Sequence, residues 1–341
     1  MTNTYVFNPN MIFTSVDTGK SSSKYSWLDI NGEIRSDVIS TLVEPTEIDN
    51  EFRGSADKII MAGKSWLVGG VDGDLIYDES NSKLDTKHEI SIYTCIARIL
   101  VNHLSLDLTK MINISLSINV PLEEYKNKMI KETYIEKYLD KTIEIDFNGK
   151  HIQFKIIELD LFFESSGAII RNYHLVNPED SLSYTCVVDC GSKNDTHTLF
   201  NHQTMPVPGK NRMAGNGINK SLRDLAMELQ GILGENTLTV PLVENLLVGK
   251  TKLTKLSDDE LKNKFSKIAT KLSQKIKSTT DALDLPKGQT KILFTGGSSI
   301  VLKEYLQQIY EDAGYSVYFS SDARYDNSKG ALIRSLNKKR I

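Results

Sequence analysis

Cysteine is scarce in this chain: three in 341 residues, Cys95, Cys186 and Cys190, with no CxxC pair. An odd count without that spacing excludes a disulfide framework, a paired-cysteine zinc site and a thioredoxin-like centre, and suits a reducing, cytoplasmic setting. Cys186 and Cys190 flank a Val-Val run and read as small buried apolar residues. Long apolar runs are also missing. Nothing approaches the roughly 20 residues that span a bilayer, and Met1 to Asn10 lacks the basic-then-apolar order of a secretory signal, so no membrane association is expected. Excess charge of one sign is absent too: 41 basic against 44 acidic side chains leaves −3, which excludes bulk electrostatic coating of nucleic acid. The six histidines are scattered, and His197 and His202, five apart, share neither a helix face nor a strand face, so no structural metal is assigned. Neither GxxxxGK[ST] nor a GxGxxG after a strand occurs, which removes those two nucleotide-binding modes.

What is present is an ordinary globular balance, 40% hydrophobic and 25% charged, in a length that suits two domains. Met11 to Val16 reads as a strand, followed by the turn Asp17-Thr18-Gly19-Lys20-Ser21-Ser22-Ser23-Lys24 and a hairpin, Tyr25 to Ile30 and Glu33 to Ile39, around Asn31-Gly32. A second turn-rich stretch surrounds Gly69-Gly70-Val71-Asp72-Gly73-Asp74. Ile90, Tyr93, Ile96, Ala97 and Leu100 make an apolar stripe on a helix over Thr86 to Leu104. Ile112 to Val120 alternates as a strand, Leu122 to Leu139 reads as one helix, and a hairpin turns at Asn148-Gly149 between Thr142 to Phe147 and His151 to Leu161. Glu164-Ser165-Ser166-Gly167-Ala168 opens a short helix.

After a polar loop the plan restarts. Tyr184 to Val188 is a strand ending in Asp189-Cys190-Gly191-Ser192-Lys193-Asn194-Asp195, and Thr196 to Leu199 continues as a strand. The device strand, Asp-x-Gly, polar turn, strand thus recurs about 170 residues after its first copy and implies two half-molecules of similar plan. Leu222 to Leu233 is helical, and Ser257-Asp258-Asp259-Glu260 fits a capping box before the stripe Leu261, Phe265, Ile268, Leu272 and Ile276. The lysine-rich opposite face of that helix reads as solvated surface, as does the basic tail Lys338-Lys339-Arg340. A last strand, Lys291 to Phe294, turns through Thr295-Gly296-Gly297-Ser298-Ser299 into a helix from Ile300 to Ala313, and Tyr315 to Phe319 is a further strand.

Three loops therefore place glycine and small hydroxyl residues at strand ends, where backbone amides can approach a polyanion. Bare carboxylates such as Asp17 and Asp189 would repel a triphosphate; they suit a hydrated Mg²⁺ held by one or two carboxylates, waters and substrate oxygens. Lys24, seven residues after Asp17 on the returning strand, can reach back to phosphates. Taken singly, an Asp-x-Gly turn is only a turn; the order of the three carries the argument.

That ordered set resembles the actin-fold ATPases, and within them the plasmid-segregation actins of the ParM type. Asp17-Thr18-Gly19 with Lys24 resembles the first phosphate loop, D-x-G-x4-K. Asn119-Val120-Pro121-Leu122-Glu123-Glu124-Tyr125 resembles the G-L-P-x-x-x-Y step, with Asn119 for its Gly and Val120 for its Leu. Phe147-Asn148-Gly149-Lys150 through Phe163-Glu164-Ser165-Ser166-Gly167-Ala168 resembles the segment carrying the catalytic side chain, and Thr295-Gly296-Gly297 the adenosine loop. The resemblance implies an α/β, actin-like (ribonuclease H-like) fold with two related α/β domains flanking a nucleotide cleft, the first formed by 1–180 plus 322–341 and the second by 181–321. It implies ATP or ADP with Mg²⁺ as cofactor. The loops Thr18-Gly19 and Gly191-Ser192-Lys193, with Lys24, would hold phosphates; Asp17 and Asp189 would hold waters of the Mg²⁺ shell; Glu164 would orient or deprotonate the attacking water. The base would lie near Gly296, Gly297 and Ser298, with Gly215, Gly217, Gly249 and Lys250 toward ribose or base. Which of Asp195, Thr196 and His197 faces the γ-phosphate stays open, because the spacing after Lys193 departs from the family by one residue.

The implied function is a bacterial actin-like ATPase that polymerises with ATP and segregates plasmid DNA in the cytoplasm. Its partners would be further copies of itself and a ParR-like adaptor bound to centromeric DNA, with no direct nucleic-acid contact. The alternative is a non-polymerising actin-fold ATPase, either a small-molecule kinase or an assembly or chaperone ATPase. No extra base for a substrate hydroxyl is evident, and the length fits the two-domain core.

Overall fold

The computed structural model describes residues 5–47, 56–69, 83–233, 238–252 and 257–339. The chain divides into two units, Met1–Arg171 with Asn327–Ile341, and Asn172–Asp326.

The first unit opens with an antiparallel meander of β1 (Met11–Thr18), β2 (Ser22–Leu28) and β3 (Ile34–Ser40), its second turn closed by Gly32 at φ 76°. Then come β4 (Val43–Thr46), β5 (Asp57–Met61) and β6 (Lys64–Val68), short strands with no counterpart in the sequence reading. Of the glycine-rich stretch expected beyond them, Gly69 adopts φ 79° and residues 70–74 lie outside the described residues. Next follow α1 (Thr86–Arg98), prolonged by a wide turn at Ile99–His103, then β7 (Ile112–Val120), α2 (Leu122–Lys126), α3 (Lys128–Tyr138), β8 (Thr142–Phe147), β9 (Lys150–Phe163) and α4 (Ser166–Arg171). The single helix expected over Leu122 to Leu139 is two helices. Asn127 sits extended at ψ 114° and its side chain accepts from the amides of Met129 (3.0 Å) and Ile130 (3.3 Å), which caps a new start.

The nine strands form one sheet in the order β3-β2-β1-β7-β9-β8-β5-β6-β4, with β1, β7 and β9 parallel at its centre. Alternation along β7 sends Ile112, Ile114, Leu116, Ile118 and Val120 into the core shared with Ile92, Tyr93 and Ile96 of α1. The polar residues between them, Ser115, Ser117 and Asn119, take the opposite face. The C-terminal ends of β1, β7 and β9 open on one side of the sheet, the side where open α/β sheets bind ligands.

The second unit contains β10 (Tyr184–Cys190), β11 (Asp195–Phe200), β12 (Pro206–Ala214), α5 (Asn219–Leu233), α6 (Val240–Leu247), α7 (Asp258–Asp281), β13 (Thr290–Thr295), α8 (Gly297–Val301), α9 (Lys303–Asp312) and β14 (Ser316–Phe319). Its sheet runs β12-β11-β10-β13-β14. The edge strand β12, which carries Pro206, Pro208 and Gly209, has no counterpart in the sequence reading. In α7 the capping box forms as expected, and Leu261, Phe265, Leu272 and Ile276 are buried. The helix expected from Ile300 begins at Gly297 and breaks at Leu302 (φ −93°, ψ 2°) into α8 and α9.

The last helix, α10 (Asp326–Lys338), returns the chain to the first unit, where Leu332 and Leu336 pack with Phe13 on the sheet face opposite α1. The basic tail is not a free end there. Lys338 Nζ reaches Asp160 at 2.5 Å and Lys339 pairs with Glu158, both on β9.

The repeated device is the same in both units. β1 pairs antiparallel with β2 and parallel with β7, as β10 does with β11 and β13. Each Asp-x-Gly turn closes alike: Gly19 N donates to Ser22 O (3.1 Å), and Gly191 N to Asn194 O (2.9 Å).

Among the described residues no helix is long and apolar enough to cross a membrane. All three thiols are buried, and that burial pushes Cys186 up to about 12 and Cys95 and Cys190 well above the ordinary thiol range. An aromatic disulfide reagent at neutral pH should therefore titrate no thiol in the native protein and three after denaturation. A thiol that reacts quickly without denaturant would contradict this packing.

Candidate functional site

In the first unit the register aligns Asp17 of β1 directly with Lys24 of β2, so the two side chains share a face. Gly19 stands between them and the turn. A Cβ there would lie 2.8 Å from Ser22 O and 3.0 Å from Lys24 Nζ, so only glycine leaves room for the lysine. Thr18 aligns with Ser23 on the other face and is fully buried; its hydroxyl has no partner among the described residues. It can offer a ligand its backbone only.

Glu164 follows β9 directly. Its amide donates to Val120 O (2.9 Å), Ser165 takes φ 73°, and Ser166 Oγ donates to Phe163 O (2.6 Å), which turns the chain sharply into α4. The Glu164 carboxylate lies 2.9 Å from Lys83 Nζ, with the two side chains 23% and 10% exposed. Lys83 also donates to Asn119 O at 3.2 Å. Burial alone would push the Glu164 carboxyl up; Lys83, with Lys20 and Lys24, outweighs burial and holds it below the usual carboxylate value. Burial would likewise lower the Lys83 ammonium, but Glu164 and Asp17 reverse this and raise it. Nothing in the sequence marks Lys83: it lies in the turn before Asp85, the N-cap of α1, and belongs to no motif. Nearby His88 is pushed down to about 4, first by burial and then by the Lys83 charge, so it is neutral at physiological pH.

Extending the β1–β7 register by one residue sets Asn119 beside Asp17. Asn119 is 1% exposed, and neither end of its carboxamide has a partner among the described residues. Buried polar groups of this kind are normally satisfied by water or ligand, so this end of the sheet fits a hydrated, polar occupant.

In the second unit the register sets Thr196 on one face and Asp195 and His197 on the other. Asp189 aligns with Thr196, Cys190 with Asp195, and Val188 with His197. Thr196 therefore shares the face of Asp189, while Asp195 and His197 point into the unit with no exposed surface. There His197 Nε2 meets Asp195 Oδ2 at 2.5 Å and Nδ1 meets Thr280 Oγ1 at 2.9 Å, and Thr280 bonds the Tyr310 hydroxyl (2.5 Å). Asp195 also accepts from the amide (3.2 Å) and carboxamide (3.3 Å) of Asn216. These residues brace the strand from within.

Asp189, Gly191, Gly296 and Ser298 come together. Gly296 adopts φ 82°, and a Cβ there would overlap the Asp189 carboxylate and Cys190 O. Ser298 Oγ donates to Gly191 O at 2.8 Å. Gly217 packs against the turn after β10: its amide donates to Lys193 O (3.0 Å), Asn219 N donates to Ser192 O (2.9 Å), and a Cβ on Gly217 would overlap the Lys193 backbone. Gly217 thus shapes the Ser192-Lys193 turn, and Gly215 lies in open space beside it. Gly249 (φ 72°) ends α6, with Lys250 N returning to Asn245 O at 2.8 Å. Lys250 and Gly297 line one pocket of about 260 Å³ with Glu244, Ile300, Arg324 and Tyr325. Gly215, Gly217, Gly249, Gly296 and Ser298 are not in its lining, and Glu244, Arg324 and Tyr325 carried no sequence signal.

Among the described residues no three His, Cys, Asp or Glu side chains gather into a metal cage. Asp17 and Asp189 are single carboxylates at strand ends. Each by itself fits a divalent cation bound through its waters and through ligand oxygens, the habit of Mg²⁺.

Residues 15–167 match the family model of the actin-like proteins' N-terminal domain. Among solved structures, the chain is similar to an archaeal actin homologue, Ta0583, at a TM-score of 0.74 and 14% identity, covering 96% of this chain and 100% of that one. It is similar to Bacillus thuringiensis ParM with ATP at 0.73 and 17%, covering 97% and 100%. It is also similar to AlfA from a B. subtilis plasmid, in its filament structure, at 0.64 and 17%, covering 95% and 98%. No curated protein sequence matches. Residues 15–167 thus match the actin-like N-terminal domain, and along nearly its whole length the chain has the fold of the archaeal actin homologue and of ParM.

Proposed function

We propose that this protein is a nucleotide-dependent, filament-forming ATPase of the plasmid-actin kind, one that moves DNA through an adaptor protein rather than by touching DNA itself. The observation that carries this reading is the Asp-x-Gly hairpin built twice to the same pattern, with Glu164 set among lysines beside the first copy. Support also comes from the similar structures whose names state a nucleotide or a filament: ParM with ATP, the archaeal homologue with ADP, and the AlfA and Alp12 filaments.

In this reading Gly19, Gly191, Ser192 and Lys193 present backbone amides to phosphates, and Lys24 adds a cation. Asp17 and Asp189 would each hold water of a Mg²⁺ shell, and that cation would neutralise phosphate charge. Gly296, Gly297 and Ser298, with Lys250 and Arg324 around the second unit's pocket, receive the adenosine. Thr196 is the residue of its trio that can turn toward the phosphates. Glu164 accepts a hydrogen bond from the attacking water. As that oxygen bonds to the terminal phosphorus, the bridging P–O bond breaks, and the water's proton ends on the released phosphate. Phosphoryl transfer asks mainly for positioning and charge, which such an arrangement supplies.

The test is a high-speed pelleting assay with MgATP, MgADP and no nucleotide, with microscopy of the pellet. Filaments that form with MgATP alone support the reading. A soluble monomer that still hydrolyses ATP overturns polymerisation and turns attention to a kinase or an assembly ATPase. Separately, Asp17→Ala should weaken ATP binding by about 10–100-fold in the presence of Mg²⁺ and little in its absence, measured by titration calorimetry. Unchanged affinity with Mg²⁺ would remove Asp17 from the metal shell.

A further inference from the structure

We propose that Lys83 is a positioning residue for Glu164, clamping its carboxylate in the orientation that receives the attacking water. The proposal rests on the ATPase reading above.

Two contacts and burial define the clamp. Lys83 Nζ lies 2.9 Å from Glu164 Oε1, donates to Asn119 O at 3.2 Å, and has a side chain only 10% exposed. Glu164 and Asn119 stand at the ends of adjacent parallel strands, β9 and β7. One ammonium thus ties the catalytic candidate to the strand beside Asp17. A glutamate directly after a strand has several rotamers of similar energy, and fixing one removes an entropic cost from each turnover.

The surroundings agree. Glu164 faces cations from the β1–β2 turn and β2 (Lys20, Lys24) and from the turn before α1 (Lys83), with Tyr134 of α3 near it; Lys83 faces Asp17 of β1 and Glu124 of α2 as well. In this field Glu164 stays ionised and is a weak proton acceptor. It is suited to holding water by a hydrogen bond, and an orienting group depends on its own orientation. A lysine with two partners already in place is committed to that task, whereas Lys24, lying against Gly19, is the cation placed to meet phosphate.

The experiment is a double-mutant cycle on steady-state hydrolysis of MgATP, with nucleotide affinity measured in parallel. Lys83→Gln should lower kcat by roughly a hundredfold while nucleotide affinity changes less than about threefold. Lys83→Arg, which keeps the charge on a longer fork, should restore about a tenth of the wild-type rate. In a Glu164→Gln background, Lys83→Gln should slow the reaction no further, because its effect passes through the carboxylate. If Lys83→Gln alone fails to fold, the double variant, which leaves no buried charge unpaired, is still compared with Glu164→Gln. A further rate loss in the double variant, or a loss of affinity at unchanged kcat, overturns the proposal. A wild-type protein that binds MgATP without hydrolysing it overturns both this proposal and the ATPase reading. Hydrolysis by the wild type with Lys83→Gln at full rate overturns the clamp alone.

Discussion

Glu164→Ala is expected to slow ATP hydrolysis by about 10²–10⁴-fold, the usual contribution of a group that positions or deprotonates water, with nucleotide binding and assembly retained. The separation follows from where Glu164 stands. Its carboxylate touches Lys83, while Gly19 and Lys24, proposed above to meet phosphate, lie on a different hairpin. Removing it takes away a contact to water and none to the nucleotide. The alanine variant also leaves Lys83 buried without its partner, which destabilises the fold by about 3–5 kcal/mol if nothing relaxes. Glu164→Gln keeps the shape and a hydrogen-bond acceptor for Lys83 but not the charge, and it helps to separate the two effects: its rate should fall while its melting temperature falls less than that of the alanine variant. Loss of ATP binding in both variants would show that Glu164 holds nucleotide rather than water. The pH dependence has a defined sign. The folded-state carboxyl lies below its ordinary 4.5, so Glu164 remains ionised through the neutral range. An acid limb in the rate from this group therefore falls below that value. The pair's contribution to stability is present above the ordinary carboxyl pKa and is lost as pH falls through the folded one.

The second large effect concerns two glycines that propensity treats alike and packing does not. Gly330 lies within α10 and Gly231 within α5. Alanine is favoured over glycine inside a helix by about 1 kcal/mol. At Gly231 an added Cβ meets nothing within 4 Å, so Gly231→Ala should stabilise the protein by about 0.5–1 kcal/mol. At Gly330 the Cβ would overlap the carbonyl of Gly167 in α4, and a Cβ on Gly167 would overlap the backbone of Asn327. The two helices meet backbone to backbone, and no rotamer can relieve the overlap. Gly330→Ala should destabilise the protein by about 2–3 kcal/mol or more, because relief requires α4 and α10 to part. Chemical denaturation of the two variants side by side decides the matter. A stabilised Gly330→Ala would mean that the helices do not cross this closely in solution.

Local chemistry made much of the fold legible. Asn31-Gly32 and Asn148-Gly149 mark hairpins because glycine takes the positive φ their turns need, 76° and 81°. The stripe from Leu261 to Ile276 marks α7 because period and burial agree. The paired Asp-x-Gly turns exposed the internal repeat, and with it the likeness in fold to actin homologues. What stayed hidden depended on neighbours distant in sequence. β12 is a strand because it pairs with β11, not because Pro206 to Ala214 favours extension. Asn127 breaks a helix through a side-chain bond that periodicity does not register. Thr196 was separated from Asp195 and His197 by strand register, a relation between two segments. Lys83 lies 81 positions before the residue it grips, in a chain with 41 basic side chains to choose from.

The prolines of β12 have a consequence for assembly. An edge strand carries a row of free amides and carbonyls that any other extended chain can join, and a protein kept at high local concentration is exposed to that hazard continually. Pro206 and Pro208 cannot donate, so two of the nine positions in this strand are useless as a template. Growth of the second unit's sheet into a neighbouring molecule is discouraged there. In the polymer proposed above, contacts would then draw on side-chain surfaces, which nucleotide state can loosen, and not on a backbone ladder, which it could not. For the proposed polymer, the outer strand would favour an assembly that can be taken apart again over an irreversible fibre.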